Sequence, residues 1–198
     1  MNAEEAAAYI RANRWQDHRP GLDRMRALLR ALGDPQRGQK YIHVAGTDGK
    51  GSTCACLASI LRAAGERVGL NTSPHLERLS ERIRVDGEEI PDGDLAALLT
   101  EIRPAADALP EHPTEFELLT AAALLYFRRR GCGISVLEVG LGGALDASNV
   151  IDVPEAAVLT AMGFDHVREL GPTMTDIAAA KAGIIKPGGR VVSYGGVP

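Results

Sequence analysis

The sequence predicts an α/β domain of three layers around a central, mainly parallel sheet. Three observations carry this prediction. Short runs rich in apolar and β-branched residues alternate with helical stretches, the signature of βαβ units. Several of those runs are nearly all apolar, as strands covered on both faces must be. A length of 198 residues, 45% hydrophobic and 24% charged, suits one such domain with its own core.

The elements follow in order. Two helices, around Ala3–Ala12 and Leu22–Leu32, form a helical lead-in over residues 1–40. The parallel strands are Tyr41–Ala45, Arg67–Asn71, Ile134–Val139, Ala156–Thr160 and Arg190–Tyr194. After the first strand, Cys54, Leu57, Ala58 and Leu61 recur at i, i+3, i+4, i+7, one face of a helix. Phe116, Leu119, Ala123 and Tyr126 form a second such stripe, closed by Arg128–Arg130 and Gly131. Arg82–Ile90 breaks the alternation and reads as a small hairpin around Asp86-Gly87.

Composition excludes several classes. A formal net charge of -4 offers no surface for a polyanion, so nucleic acid is not an expected partner. No apolar run approaches the roughly 20 residues that span a bilayer, so no membrane is expected. The N-terminal MNAEEAAAYIRANRW lacks the continuous apolar stretch of a secretory signal. Cys54, Cys56 and Cys132 are odd in number and irregular in spacing, which argues against a disulfide framework or a zinc knuckle. They read as small core residues of a cytoplasmic protein.

The densest chemistry lies in Gly46-Thr47-Asp48-Gly49-Lys50-Gly51-Ser52-Thr53, between the first strand and its helix. A glycine-rich turn there aims free amides and the positive helix end at an anion. Lys50 supplies a point charge for terminal phosphates, and Ser52 a hydroxyl for Mg²⁺. The strict G-x-x-x-x-G-K-[ST] pattern is not met, because Val44 stands at its first glycine and Gly51 follows Lys50. Glu138, near the end of the third strand, is placed where an open α/β sheet holds Mg²⁺, or simply caps a strand exit. Ser73 and His166 follow other strand ends on the same edge; His166 alone reads as a solvated loop residue. Met174, Ile177, Ala178 and Lys181 share a helical face. That leaves Lys181 either snorkelling to water or buried with a lowered pKa, free to react with CO₂.

Beyond the phosphate loop come Thr72-Ser73-Pro74-His75-Leu76, Thr114-Glu115-Phe116-Glu117, Leu137–Val150 (LEVGLGGALDASNV), Phe164-Asp165-His166 and Lys181–Gly188 (KAGIIKPG). In this order, from about Gly21 to the end, they resemble the N-terminal ATP-binding domain of folylpolyglutamate synthase/dihydrofolate synthase, in the Mur ligase superfamily. The resemblance implies a P-loop domain over 1–198, like the central domain of Mur ligases. It implies ATP, one or two Mg²⁺, and ligation of L-glutamate to a folate or dihydropteroate carboxylate through an acyl phosphate. It implies metal binding at Ser73, Glu138, His166 and Lys181, the lysine as a carbamate, with Lys50, His166 and Lys181 as catalytic groups. It places substrate contacts at Thr114, Glu115, Phe116 and Glu117 and at Leu145, Asp146 and Ala147; for Phe116, plain core packing is an equal alternative. The family carries a further C-terminal α/β domain that these residues lack, so a fragment or a partner chain is expected. A Mur-type ligase for another carboxylate, or a nucleotide-binding module without turnover, is the competing reading. Two positions depart from the family pattern: Asp48 stands for Asn, adding charge beside phosphates, and Ala144 stands for Arg.

Overall fold

A computed structural model describes residues 1–13 and 21–195. Residues 14–20, which include Arg14 and Trp15 of the N-terminal stretch, and residues 196–198 lie outside the described residues. The chain order is α1 (Ala3–Ala12), α2 (Asp23–Ala31), β1 (Tyr41–Ala45), α3 (Lys50–Ala63), β2 (Val68–Asn71), β3 (Ile83–Val85) and β4 (Glu88–Glu89). Then come α4 (Asp92–Asp107), α5 (Glu115–Arg129), β5 (Ile134–Glu138), β6 (Ala156–Leu159), α6 (Val167–Leu170), α7 (Met174–Ala182) and β7 (Val191–Ser193). Short 3-10 turns cover Leu79–Arg82 and Ala147–Val150.

One sheet runs in the order β4-β3-β2-β5-β1-β6-β7. Strands β2, β5, β1, β6 and β7 are parallel, and the β3–β4 hairpin joins β2 antiparallel. The hairpin turns where the sequence expects, with Asp86 and Gly87 both at positive φ, as a tight two-residue turn demands. The five parallel strands lie within a residue of their expected bounds.

Period-2 alternation sorts the strands' side chains into layers. Ile42, Val44, Val68, Leu70 and Val136 face α3 through Cys54 and Ala58. Tyr41 and Leu137 face the other way, into a larger core shared with α1, α2, α4 and α5. Ala45, Ala157 and Leu159 extend the sheet's cover toward Ile184, just past α7. The lead-in helices are therefore part of a layer: Ala6, Ile10, Met25, Leu28 and Leu29 all lie in that core.

Three expectations change. The α5 stripe is not one-sided; every residue from Glu117 to Phe127 is buried, because the helix lies between the sheet and α1, α2 and α4. Cys54 is buried, but Cys56 is exposed and Cys132 only half-buried, so the cysteines are not all core residues. Helix α4 is an addition to the sequence reading; its Leu95, Leu98, Leu99 and Ile102 are buried at helical spacing. Among the described residues no helix is long and apolar enough to cross a membrane.

Candidate functional site

All the strand exits that carry chemistry open on one edge of the sheet. At β1 the chain leaves through Gly46, whose φ is 154°. A Cβ there would stand 1.8 Å from Thr160 Oγ1, so the loop passes flush against the end of β6. Gly49, at φ 78°, turns the chain into α3 with no side-chain cap and no acid in the first turn. The orphan amides of that turn are thus left for an anion.

Lys50 opens α3 and folds its Nζ back to donate to the Thr47 carbonyl at 3.0 Å. The Thr47 hydroxyl donates to the Gly163 carbonyl and accepts from the Gly163 amide, each at 3.0 Å. The Thr47 amide donates to the Ala161 carbonyl at 2.8 Å. Asp48, Gly49 and Ser52 are exposed, while Gly51 and Thr53 are half-buried.

Glu138 is buried at the end of β5. Its Oε2 accepts the Ser73 amide at 2.9 Å. A Cβ on Gly51 would lie 3.6 and 3.7 Å from its two oxygens, so the carboxylate rests against the first turn of α3. Burial pushes the Glu138 carboxyl upward, opposed by the Ser73 amide and the Lys50 charge.

Lys181 is only 3% exposed. Its Nζ donates to the Gly46 carbonyl at 2.7 Å. Of the two sequence alternatives, the structure therefore selects burial over snorkelling. Burial lowers its pKa, as does the nearby Lys50 charge; Asp165 and Asp48 pull the other way. Lys50, Lys181, Glu138, Asp48 and Asp165 thus form one electrostatic group. His166 is exposed, takes a left-handed backbone at φ 49°, and caps the short α6 with its Nε2 3.4 Å from Asp165 Oδ2. Among the described residues no three His, Cys, Asp or Glu side chains gather into a metal-holding cluster.

The substrate-side residues divide. Thr114 caps α5 and Glu117 closes the capping box, and Glu117 also accepts Arg24 Nε at 3.2 Å. Glu115 accepts Arg82 Nη2 at 3.2 Å. The Phe116 ring is half-buried and lies against Gly140, where a Cβ would meet it at 2.6 Å. Leu145 is exposed and Ala147 buried. Asp146 is buried, with Oδ2 accepting the Gly140 and Leu141 amides and Oδ1 the Ser148 amide and hydroxyl. Ala144 packs against the α7 cap, where a Cβ on Gly183 would meet its Cβ at 2.3 Å.

Three links are absent from the sequence reading. The Thr47–Gly163 pair is one. Another is Arg82, whose Nε donates to His75 Nδ1 at 2.8 Å while its other end holds Glu115. The third is His43, whose Nε2 meets the Ser148 hydroxyl at 2.8 Å. Because that hydroxyl donates to Asp146, His43 must carry its proton on Nε2. Only the period-2 position of His43 in β1 hinted that it points into the larger core.

Residues 44–191 match the Mur ligase middle domain. This chain belongs to that family. It is 45% identical to the folylpolyglutamate synthase of Lacticaseibacillus casei, over all of this chain and 47% of the relative. It is 42% identical to the dihydrofolate synthase/folylpolyglutamate synthase of Bacillus subtilis, over 96% of this chain and 45% of the relative. Among solved structures, an FPGS-AMPPCP-folate complex superposes with a TM-score of 0.93 at 45% identity, over 98% of this chain and 48% of the other. Escherichia coli FolC in complex with DHPP and ADP superposes at 0.91 with 37% identity, over 98% of this chain and 46% of the other. The chain thus spans about half the length of these relatives. As a Mur ligase middle domain, its mostly parallel sheet is the fold the sequence predicts.

Proposed function

We propose that the chain is the ATP-binding part of an ATP-dependent ligase that joins L-glutamate to a folate or dihydropteroate carboxylate. One observation carries the reading: the uncapped, glycine-rich turn into α3 meets the buried Glu138 carboxylate, with Lys50 and Lys181 beside it. The relatives bound to AMPPCP and ADP support a nucleotide at that turn. Residues 1–198 act as one unit on this reading, with 1–40 as its helical lead-in.

In that reaction the substrate carboxylate oxygen attacks the γ-phosphorus and ADP leaves. The glutamate amine then attacks the acyl carbon and phosphate leaves. The loop amides Gly46–Thr53 and Lys50 hold the phosphates and meet the charge that builds on the transferred group. Mg²⁺ suits this donor set: Glu138 accepts only the Ser73 amide among the described residues, and a hard cation prefers oxygen donors with phosphates and water completing its shell. Ser73, Glu138, His166 and a carbamylated Lys181 would hold one or two such ions, with Ser52 reaching the nucleotide-bound one. When bound, the metal neutralises phosphate charge and aligns the reacting oxygens. A carbamate is compatible with the observed lysine, since its nitrogen keeps one N–H for the Gly46 carbonyl.

The substrate reads along Thr114, Glu115, Phe116, Glu117, Leu145, Asp146 and Ala147. Phe116 and Leu145 offer accessible apolar surface there. Thr114, Glu117 and Asp146 shape the walls through their caps and backbone contacts. The half-length match favours a second reading as well, a nucleotide-binding module that needs the other half for turnover.

The test is turnover with ATP, glutamate and dihydropteroate or tetrahydrofolate. Residues 1–198 alone should bind Mg·ATP, hydrolyse it slowly at most, and ligate negligibly. An amine that is not positioned forfeits up to roughly 7–11 kcal/mol of barrier reduction, and an open edge lets water reach the phosphates. Adding the rest of the L. casei relative should restore some ligation. Ligation by the isolated chain at about 1 s⁻¹ or faster would overturn the division of labour, and failure to bind Mg·ATP would overturn the function.

A further inference from the structure

His43 is a polar side chain at a place where the sheet needs none. It lies in the middle of β1, fully buried, with Leu137 and Ala157 as its register neighbours on β5 and β6. An aliphatic side chain would fill such a position without taking any polar atom out of water. One ring nitrogen, Nε2, meets the Ser148 hydroxyl at 2.8 Å, while the other, Nδ1, has no partner among the described residues. Half-satisfied in this way, the imidazole is a poor device for stability. What it supplies is one N–H, aimed at Ser148.

A serine hydroxyl has one hydrogen to give. Ser148, also fully buried, could give it to His43 or to Asp146 Oδ1. The first choice would leave a buried carboxylate oxygen against a bare lone pair. The second requires His43 to be the donor on its side. Asp146 then holds the Ser148 hydroxyl and amide on Oδ1, and the Gly140 and Leu141 amides on Oδ2 at 3.0 and 2.9 Å. These bonds curl the chain after β5 back on itself. Gly140 is caught in the curl, since a Cβ there would stand 3.2 Å from Asp146 Oδ2 and 2.6 Å from the Phe116 ring. One line of contacts therefore runs from the sheet to the accessible wall: His43, Ser148, Asp146, Gly140, Phe116. Exposed Leu145 rides on the same curl.

We propose that His43 is a positioning residue for the substrate wall. By fixing the direction of the Ser148 hydroxyl it holds the Asp146 carboxylate on the Gly140 and Leu141 amides, and so sets the surface of Phe116 and Leu145. His43 itself touches no substrate. The role rests on the reading above that a folate or dihydropteroate lies along Phe116 and Leu145. The turn that carries Ser148 has other anchors: Asn149 Nδ2 donates to the Ala144 and Gly183 carbonyls at 3.1 Å each, and Lys186 Nζ to the Asn149 carbonyl at 3.3 Å. Cutting the relay therefore loosens the aim of the curl and leaves the turn folded.

The test uses residues 1–198, which hold the whole relay. Ser148→Ala and His43→Leu should each weaken dihydropteroate binding by calorimetry about fivefold, the usual worth of one hydrogen bond, and leave Mg·ATP affinity at the parent's value. Without ligand, hydrogen exchange at the Gly140 and Leu141 amides should speed about tenfold in both variants. His43→Gln, whose side-chain nitrogen can stand where Nε2 does, and Ser148→Thr, which keeps the hydroxyl, should restore both readouts. The double variant His43→Leu/Ser148→Ala should be no weaker than Ser148→Ala alone, because the relay is lost only once. Fully additive losses, a His43→Gln variant as weak as His43→Leu, or unchanged exchange overturns the relay. Should His43→Leu not fold, Ser148→Ala and Ser148→Thr decide, and equal behaviour of the two overturns it. Faster exchange with unchanged dihydropteroate affinity overturns the positioning role alone. A parent that binds no dihydropteroate overturns the substrate reading, and this role with it.

Discussion

Gly46→Ala is the sharpest single test of how the glycine turn after β1 is built. The new methyl would arrive 1.8 Å from Thr160 Oγ1, 3.0 Å from Thr160 Cβ and 3.2 Å from Thr160 Cα. Rotating the Thr160 side chain cannot clear the last two contacts, so the loop itself must move away from β6. Overpacking of this kind costs about 1–3 kcal/mol, and a left-handed φ for a non-glycine residue adds about 1. The sum is roughly 2–4 kcal/mol. With a urea m-value near 2 kcal/mol/M, the unfolding midpoint should fall by about 1–2 M. Thr160→Ala removes the oxygen at 1.8 Å and gives up only a 3.3 Å bond to the Ala45 carbonyl, so alone it should cost under about 1 kcal/mol. Combined with Gly46→Ala it should recover about half of the loss, a coupling readable in a double-mutant cycle. Urea unfolding followed by circular dichroism measures all four proteins. A Gly46→Ala midpoint equal to that of the parent, or no recovery on adding Thr160→Ala, would refute the account of a loop held flush against β6.

Other expectations are briefer. Lys50→Ala should weaken Mg·ATP binding tenfold or more by calorimetry, because Nζ supplies the loop's point charge; equal affinities would remove Lys50 from the site. Burial keeps the Lys181 amine more readily neutral, so ¹³C-bicarbonate NMR near pH 8 should show a carbamate resonance that Lys181→Met abolishes. A spectrum identical in both proteins counts against the adduct. The His43 pKa is lowered from 6.5 to about 3 by its burial, with Lys186 adding to the effect. The unfolded chain therefore takes up a proton below pH 6.5 that the folded chain refuses. This residue's contribution makes stability fall from about pH 6.5 toward pH 3, by up to about 1.4 kcal/mol per pH unit, and leaves it unchanged above that window. His43→Gln should remove that part of the slope in urea titrations at pH 7, 6 and 5, and an unaltered slope would show that His43 is not the source.

Much of the fold was legible because the central strands β1, β2 and β5 are buried on both faces and so read as apolar runs, and because Asp86-Gly87 announces its own turn. The turn between β1 and α3 was legible as well, since clustered glycines at a strand-to-helix junction leave little else to build. Helix α4 carried a readable Leu95, Leu98, Leu99, Ile102 stripe, but Pro104 within the helix sends the opposite signal. The burial of α5 on every side could not be read from its own stripe, since cover on its outer face comes from α1 and α2, distant in sequence, and from α4, which the sequence reading did not place. Asp146 was singled out in the sequence by a motif, yet its four internal hydrogen bonds depend on the 140–148 chain curling back on itself. Lys181 was ambiguous because an amphipathic side chain looks the same from sequence whether its nitrogen reaches water or a carbonyl.

The Thr47 hydroxyl binds both the amide and the carbonyl of Gly163, giving with its hydrogen and receiving with its oxygen. One rotor thus fastens the glycine turn after β1 to the segment that leads to Asp165 and His166. A shift of Thr47 against Gly163 strains both bonds at once, so the two backbones are pinned to one another at that point. A valine in place of Thr47 would keep the shape and lose the latch.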